Sequence, residues 1–251
     1  MQMSEDTSKK ILVINGSPKR EKSFTMTATK AFVGGMMKER ESTVEYINTA
    51  DMNIKPCRGC LSCWGRTEGE CVIKDDDMGL LTEKLKEADF VIHSYPLYFF
   101  GMPGAFKTFI DRMLGMFETY KGFMPAPDEG LSHRFRDSDK EQRFAVISSC
   151  GFSEGEEVFA PLRGQYDLIY GRGNYTAIFC PQIKALVEAG STHRLAAFTE
   201  KAEQAGRMFM LQGFLDDETT AELSKPWFSK KTYRLLAERF WEEQKAGGKN
   251  S

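Results

Sequence analysis

The chain has 251 residues, 41% of them hydrophobic and 28% charged, enough for one large domain or two small ones around an ordinary core. Its formal net charge of -2 gives no support for nucleic-acid binding. No apolar run approaches the roughly 20 residues of a membrane span, and the polar start MQMSEDTSKK with a short ILVI run does not read as a signal peptide, so the expected compartment is the cytoplasm.

The first predicted strand is Ile11 to Ile14, a buried-type apolar run stopped by Asn15-Gly16-Ser17-Pro18. From Thr25 to Glu39 the period turns helical, with Ala28, Ala31, Phe32, Gly35 and Met36 on one stripe. Val44 to Ile47 alternates as a second strand. A cysteine-rich loop follows, and Asp76 or Asp77 then caps a helix running to about Ala88. A third strand over 89–94 is closed by Tyr95-Pro96, and a helix is expected from Gly104 to Phe117. Phe144 to Ser148, Val158 to Ile169 and Tyr175 to Phe179 read as strand, helix and strand. Between Met116 and Gln142 the connection is longer than usual and reads as an ordered insertion or flap. After Gly190 the composition shifts to helix formers, with amphipathic helices over 195–211 and 230–245.

Strands and helices thus alternate five times. This order implies right-handed crossovers and a parallel sheet with helices on both faces, an α/β fold. Ligands of such a sheet sit at the carboxyl ends of its strands. The segment NGSPKREKSFT occupies that position after the first strand. Its hydroxyls Ser17, Ser23 and Thr25, its lysines and the helix that follows suit an anion, and a plain strand–turn–helix capped by Ser23 suits the residues equally well.

Cys57, Cys60, Cys63 and Cys71 stand at C-x2-C-x2-C-x7-C spacing, four of the six cysteines of the chain. Thiols in a reducing compartment, clustered this way, point to metal or redox chemistry more than to disulfides. Three readings stay open: ligands of one 4Fe–4S cluster, an all-thiolate zinc site, and a loop that keeps its cysteines without metal. Cys150 and Cys180 read as small packing residues. The run Asp75-Asp76-Asp77 reads as a solvated helix cap, and Arg112 as a structural residue that pairs locally with an acid or helps shape a dimer surface.

The NGSPKREKSFT loop, the block from Ser94 to Pro103 with the KTFIDR helix after it, and the strand-end loop Ser149-Cys150-Gly151-Phe152 together resemble the NADPH-dependent FMN reductase family. The cysteine loop with Asp75-Asp76-Asp77-Met78 resembles the iron–sulfur flavoprotein branch of that family. The resemblance implies a flavodoxin-like, doubly wound five-stranded parallel sheet of order 2-1-3-4-5. A flavin domain would occupy residues 1–187, and 188–251 would form a C-terminal helical extension on the same domain or on a partner subunit. It implies FMN as cofactor, with Ser17, Lys19, Ser23 and Thr25 at the phosphate and Pro96, Leu97, Tyr98, Phe99, Phe100, Gly101 and Met102 along the ring. Ser149, Gly151 and Phe152 would close the site. NAD(P)H would be the electron donor, and a flavin, quinone or other small molecule the acceptor. Cys57, Cys60, Cys63 and Cys71 would hold a 4Fe–4S cluster. A catalytic acid or base is not implied, because the cofactor carries the chemistry. Homodimers or homotetramers are implied. A non-enzymatic electron carrier serving a ferredoxin-like partner is the alternative reading.

Overall fold

The computed structural model describes residues 8–118, 135–136, 141–190 and 192–247. Five strands form one parallel sheet of order β2-β1-β3-β4-β5. They are β1 (Lys9–Asn15), β2 (Ser42–Asn48), β3 (Phe90–Pro96), β4 (Arg143–Cys150) and β5 (Tyr175–Pro181). The expected order and the flavodoxin-like class are both observed. The central strands are continuous apolar runs because both of their faces are covered. Ile11 and Val13 of β1 point to one face with Phe90 and Ile92 of β3; Leu12 and Ile14 point to the other with Val91 and Tyr95. Edge strand β2 carries polar and apolar residues in alternation and is only partly covered.

On the first face lie α1 (Phe24–Glu39), α5 (Ile183–Glu188), α6 (Thr192–Gln212) and α7 (Asp217–Ser224). The pairing of α1 with α6 is the most extensive helix contact in the fold. Phe32 of α1, Phe90 of β3 and Phe209 of α6 form its centre, with ring centroids 5.4 and 5.5 Å apart. On the second face lie α2 (Met78–Glu87), α3 (Gly104–Arg112) and α4 (Glu156–Tyr170). The last helix, α8 (Lys230–Gly247), follows Phe228 and lies against α5.

One helix end and two short helices differ from the sequence reading. The helix expected over Gly104–Phe117 ends at Arg112, where the chain tightens into a 3-10 turn over Met113–Met116. The short helices α5 and α7 carry too few apolar repeats to be seen as periods; α7 is started by Asp216, whose side chain accepts from Thr219 N at 2.7 Å. Most of the expected insertion between Met116 and Gln142 lies outside the described residues. Within it, Phe117 bridges Phe135, and Arg136 N donates to Met116 O.

Candidate flavin and cysteine site

The loop after β1 is fixed from below. Asn15 is buried; its amide donates to Asn48 at the end of β2 (2.9 Å) and its Oδ1 accepts from Ser17 N (3.0 Å). Gly16 N donates to Ser94 O of β3 (2.8 Å). A Cβ at Gly16 would stand 2.7 Å from Phe106 of α3, so the close approach of loop and helix requires glycine. Ser17 is buried and its Oγ accepts from Lys19 N (3.3 Å). Ser23 is buried in extended conformation at the start of α1, and its side chain makes no capping bond. Its hydroxyl and the first-turn amides of α1 are therefore available to an anion. Lys19 stands exposed beside them.

Two hydroxyl pairs bind α1 to the sheet. Thr25 and Ser149 of β4 lie 2.6 Å apart, and Thr29 and Ser94 of β3 lie 2.7 Å apart, all four buried. Thr25 thus spends its side chain on joining the first loop to the third. Leu97 N donates to Ser149 O (2.7 Å), which joins the second loop to the third. The residues read from sequence as three separate loops converge at one sheet edge, with Ser149 as their common partner.

The second loop is a tight turn. Tyr98 and Gly101 exchange backbone hydrogen bonds of 3.0 Å each, around Phe99 and Phe100 at φ 48° and 63°. Two successive left-handed residues are ordinarily Asn-Gly; here both carry bulky rings, at roughly 1–2 kcal/mol apiece. Phe99 is fully exposed, while Tyr98, Phe100 and Phe152 are about half-exposed, with the Phe100 and Phe152 rings 5.8 Å apart. Pro96, Leu97, Gly101 and Met102 are partly covered, and Gly151 is exposed on the far rim. Buried hydroxyls, helix amides and Lys19 at one end, with half-exposed rings at the other, fit a phosphate and a flat aromatic ring. Phe99→Asn should relieve left-handed strain without loss of packing. An increase of roughly 2–4 °C in the thermal midpoint of the ligand-free chain is expected; an unchanged midpoint would show that the turn stores no strain.

Behind this edge His93 of β3 is buried among Phe106, Phe109, Tyr166 and Tyr170. Its Nδ1 lies 2.8 Å from Tyr166 Oη, which also accepts from Tyr95 Oη at 2.8 Å. Burial lowers its pKa to about 3, so the ring is neutral and structural, as a lone histidine at a strand end suggests. A depressed folded pKa means that the unfolded chain binds the proton first. The stability contribution is therefore complete above about pH 6.5 and is eroded as pH falls towards 3, by on the order of 4 kcal/mol. His93→Phe should flatten the urea-unfolding free energy across that window; an unaltered pH slope would contradict it. Cys150 and Cys180 are also buried, and burial pushes their thiols up to about 11 and about 12, in keeping with packing roles.

The cysteine loop leaves β2 through a 3-10 turn and returns to α2, and its two ends are stitched together. Asn53 N donates to Asp77 (2.7 Å) while Asp77 N donates to Asn53 O (3.0 Å). Lys55 N donates to Asp76 (3.0 Å), and the Lys55 ammonium pairs with Asp75. Across the base lies Arg112. Its guanidinium pairs with Asp76 and donates to Lys55 O (2.7 Å) and Ile73 O (3.3 Å), with side chains 1% and 0% exposed for Arg112 and Asp76. Burial pushes the Asp76 carboxyl up, but hydrogen bonds from Arg112, Lys55 N and Met78 N outweigh it and hold its pKa below the usual range. The sequence reading of Arg112 as the partner of a nearby acid holds. The reading of Asp75-Asp76-Asp77 as a solvated cap does not: the middle carboxylate is sealed in this pair. Further out, Trp64 Nε1 donates to Leu114 O (2.9 Å), and Arg136 donates to Gly115 O (3.0 Å) and Cys63 O (3.4 Å).

Cys57 and Cys60 are exposed and Cys63 and Cys71 partly covered; none is in a disulfide. Burial, then the neighbouring Cys71, Cys57 and Cys60, pushes the Cys63 thiol up, and hydrogen bonds from Ser62 lower that of Cys60. The four thiols thus share one neighbourhood. Among the described residues, however, no three cysteine, histidine or acidic side chains are gathered closely enough to hold a metal ion. The donor chemistry suits an iron–sulfur cluster; the coordination shell is not assembled.

Residues 9–126 match the family model for NADPH-dependent FMN reductases. The segment holds the first loop, the cysteine loop and the Tyr98–Gly101 turn; Ser149, Gly151 and Phe152 lie beyond it. An iron–sulfur flavoprotein of Methanocaldococcus jannaschii is 37% identical over 103 residues, 41% of this chain and 51% of its own length. An FMN-dependent NADH:quinone oxidoreductase of an Exiguobacterium species is 30% identical over 121 residues, 45% of this chain and 57% of its own length. The chain spans about half the length of the curated relatives it matches. An FMN-dependent NADH-azoreductase from Bacillus anthracis, solved with FMN, superposes with a TM-score of 0.58 at 18% identity, over 80% of this chain and 99% of that one. That likeness is one of fold. No helix among the described residues is long and apolar enough to cross a membrane.

Sequence reasoning missed Asn15, Asn48, Thr29 and Ser94, the supports beneath the first loop. It also missed the role of Asp76, and that of buried Gln182, whose amide donates to Ser153 O (2.7 Å) and whose Oε1 accepts from Phe228 N (2.8 Å). The polar pairs on α1 and β3 had a visible signal: Thr29 and Ser94 are hydroxyls at positions where the pattern demands apolar residues.

Proposed function

We propose that the chain is an FMN-dependent oxidoreductase that takes electrons from NAD(P)H and passes them to a flavin, a quinone or another small acceptor, in the reducing cytoplasm that keeps its thiols free. The observation that supports this most is the convergence of three loops on Ser149, with hydroxyls and helix amides at one end and half-exposed rings at the other. The family match of residues 9–126 adds to it.

In this reading Ser17, Ser23, Lys19 and the first turn of α1 hold the phosphate, while Thr25 fixes the loop to β4. The backbone of Pro96–Met102 meets the polar edge of the ring, and Tyr98, Phe100 and Phe152 shield its faces from water. Gly151 leaves room on the rim, and Ser149 sets the distance between the loops. Bound FMN supplies hydride acceptance from nicotinamide and onward delivery of electrons. No side chain is assigned as acid or base.

Cys57, Cys60, Cys63 and Cys71 are proposed as ligands of one 4Fe–4S cluster, supported by the donor set and by relatives that carry the name iron–sulfur flavoprotein. An anaerobic preparation should then contain flavin and about four irons per chain. Flavin without iron would remove the cluster and leave the reductase reading standing. Reduction by a ferredoxin-like protein and not by NAD(P)H would replace the reductase with an electron carrier. A homodimer or homotetramer is the proposed assembly, supported by exposed Phe99, Leu211, Phe214, Leu235 and Trp241; a monomer mass in solution scattering would count against it.

A further inference from the structure

Pro181, the last residue of β5, pairs in register with Cys150, the last of β4. Gln182 therefore leaves the sheet beside the loop that carries Gly151 and Phe152. It is fully buried and stands in the left-handed region at φ 63°. A glutamine is held there only where its surroundings over-determine it. Here they do so through the side chain. Its amide nitrogen donates to Ser153 O (2.7 Å) and to Phe228 O (3.1 Å), and its Oε1 accepts from Phe228 N (2.8 Å). One residue thus bridges the loop after Phe152 and the segment that leads into α8.

The far end of this bridge is firm. Phe228 is buried in the core of the first face, with the Arg194 guanidinium of α6 lying 4.9 Å from its ring centroid. Helix α5 begins at the residue after Gln182 and packs against α1. The near end is not firm by itself. Phe152 is about half-exposed, Gly151 is exposed, and α4 begins only at Glu156. A ring half in water has little packing to hold it, so the backbone on either side sets its place. Behind it, Ser149 is joined to Thr25 and to Leu97; ahead of it, Ser153 is joined to Gln182. Glu154 also pairs with Lys230 at the start of α8 (2.8 Å), but both side chains are exposed and such a pair contributes little. The coupling of the two segments therefore falls on Gln182.

We propose that Gln182 is a positioning residue of the candidate flavin site. It couples the C-terminal segment at Phe228 to the Gly151–Ser153 loop, and so holds the Phe152 ring beside Phe100, 5.8 Å away. Its effect on a ligand rests on the reading of this edge as a flavin site; the coupling itself does not.

The test uses the full chain with Gln182→Gly, which suits the left-handed backbone and removes the bridge, and Gln182→Met, which keeps the bulk without the hydrogen bonds. Lys230→Ala removes the exposed pair alone. In the flavin-free chain, chymotrypsin cleavage after Phe152, located by mass spectrometry, should be roughly tenfold faster in both Gln182 variants, with cleavage elsewhere unchanged. FMN and riboflavin, titrated by flavin fluorescence, should each bind roughly tenfold more weakly. The ratio of their dissociation constants should stay the same, because the ring end is loosened and the phosphate loop is not. Lys230→Ala should leave both readouts unchanged. Faster cleavage with unaltered flavin binding, or loss of affinity for FMN but not for riboflavin, would overturn the positioning role. Unchanged cleavage after Phe152, or equal acceleration at every site, would overturn the coupling. If the parent chain binds neither flavin, the flavin reading fails, and the cleavage rates decide the coupling by themselves.

Discussion

Arg112→Met is expected to destabilise the chain by about 3–5 kcal/mol, because it leaves the Asp76 carboxylate buried without its partner. The loss should appear as a lower urea midpoint with the slope unchanged. Asp76 also loses the charge that holds its pKa down, so Lys55 O and Ile73 O lose their donor at the moment the acid loses its counter-ion. Both ends of the cysteine loop are released together. Replacing the pair with apolar residues in Arg112→Met/Asp76→Leu should recover a large part of the loss, since an apolar pair avoids the desolvation of two charges. Additive losses in the double variant would show that the two residues act independently and that the clamp is not a unit.

The second large effect lies at the crossing of α1 and α6. A Cβ at Gly35 would run into the carbonyl oxygen of Glu203, and one at Gly206 into that of Phe32, both far inside van der Waals contact with backbone. Backbone cannot step aside as a side-chain tip can, so Gly35→Ala or Gly206→Ala must part the helices. About 3 kcal/mol or more of destabilisation is expected. Gly34, one residue earlier, has open space around its missing Cβ. Gly34→Ala should stabilise by about 0.5–1 kcal/mol through helix propensity and a less flexible unfolded chain. The opposite signs at adjacent glycines are read from thermal midpoints, and equal behaviour would contradict the crossing. Because Ser23 and Thr25 stand at the other end of α1, the parting should also weaken the binding of FMN in the proposed site.

The sheet was legible because each central strand is an apolar run cut off by a turn, and β4 and β5 keep that pattern even where their ends extend to Cys150 and Pro181. Local sequence also located the three loops, since Asn15-Gly16-Ser17, Tyr95-Pro96 and Cys150-Gly151 all interrupt such runs. What it could not give were the bonds that close distances along the chain. The Thr25–Ser149 pair spans 124 residues, Arg112–Asp76 spans 36 and Gln182–Phe228 spans 46. None leaves a local period. The Asp75-Asp76-Asp77 run misled because acidic residues before a helix are ordinarily solvated caps; burial of the middle one depends on an arginine on another helix. Phe99 and Phe100 read as a ligand surface, but their left-handed backbone was invisible because bulky residues rarely adopt it. The spacing of Cys57, Cys60, Cys63 and Cys71 disclosed a shared loop and said nothing of how closely their thiols approach.

The most direct measurement is anaerobic: the full chain is reconstituted with FMN, freed of excess, and mixed with NADPH or NADH while the flavin absorbance is followed. An oxidoreductase of the proposed kind retains about one FMN per chain, and its flavin band bleaches with at least one nicotinamide and recovers on addition of a quinone. A chain that retains no FMN, or whose bound flavin neither nicotinamide reduces, contradicts the account.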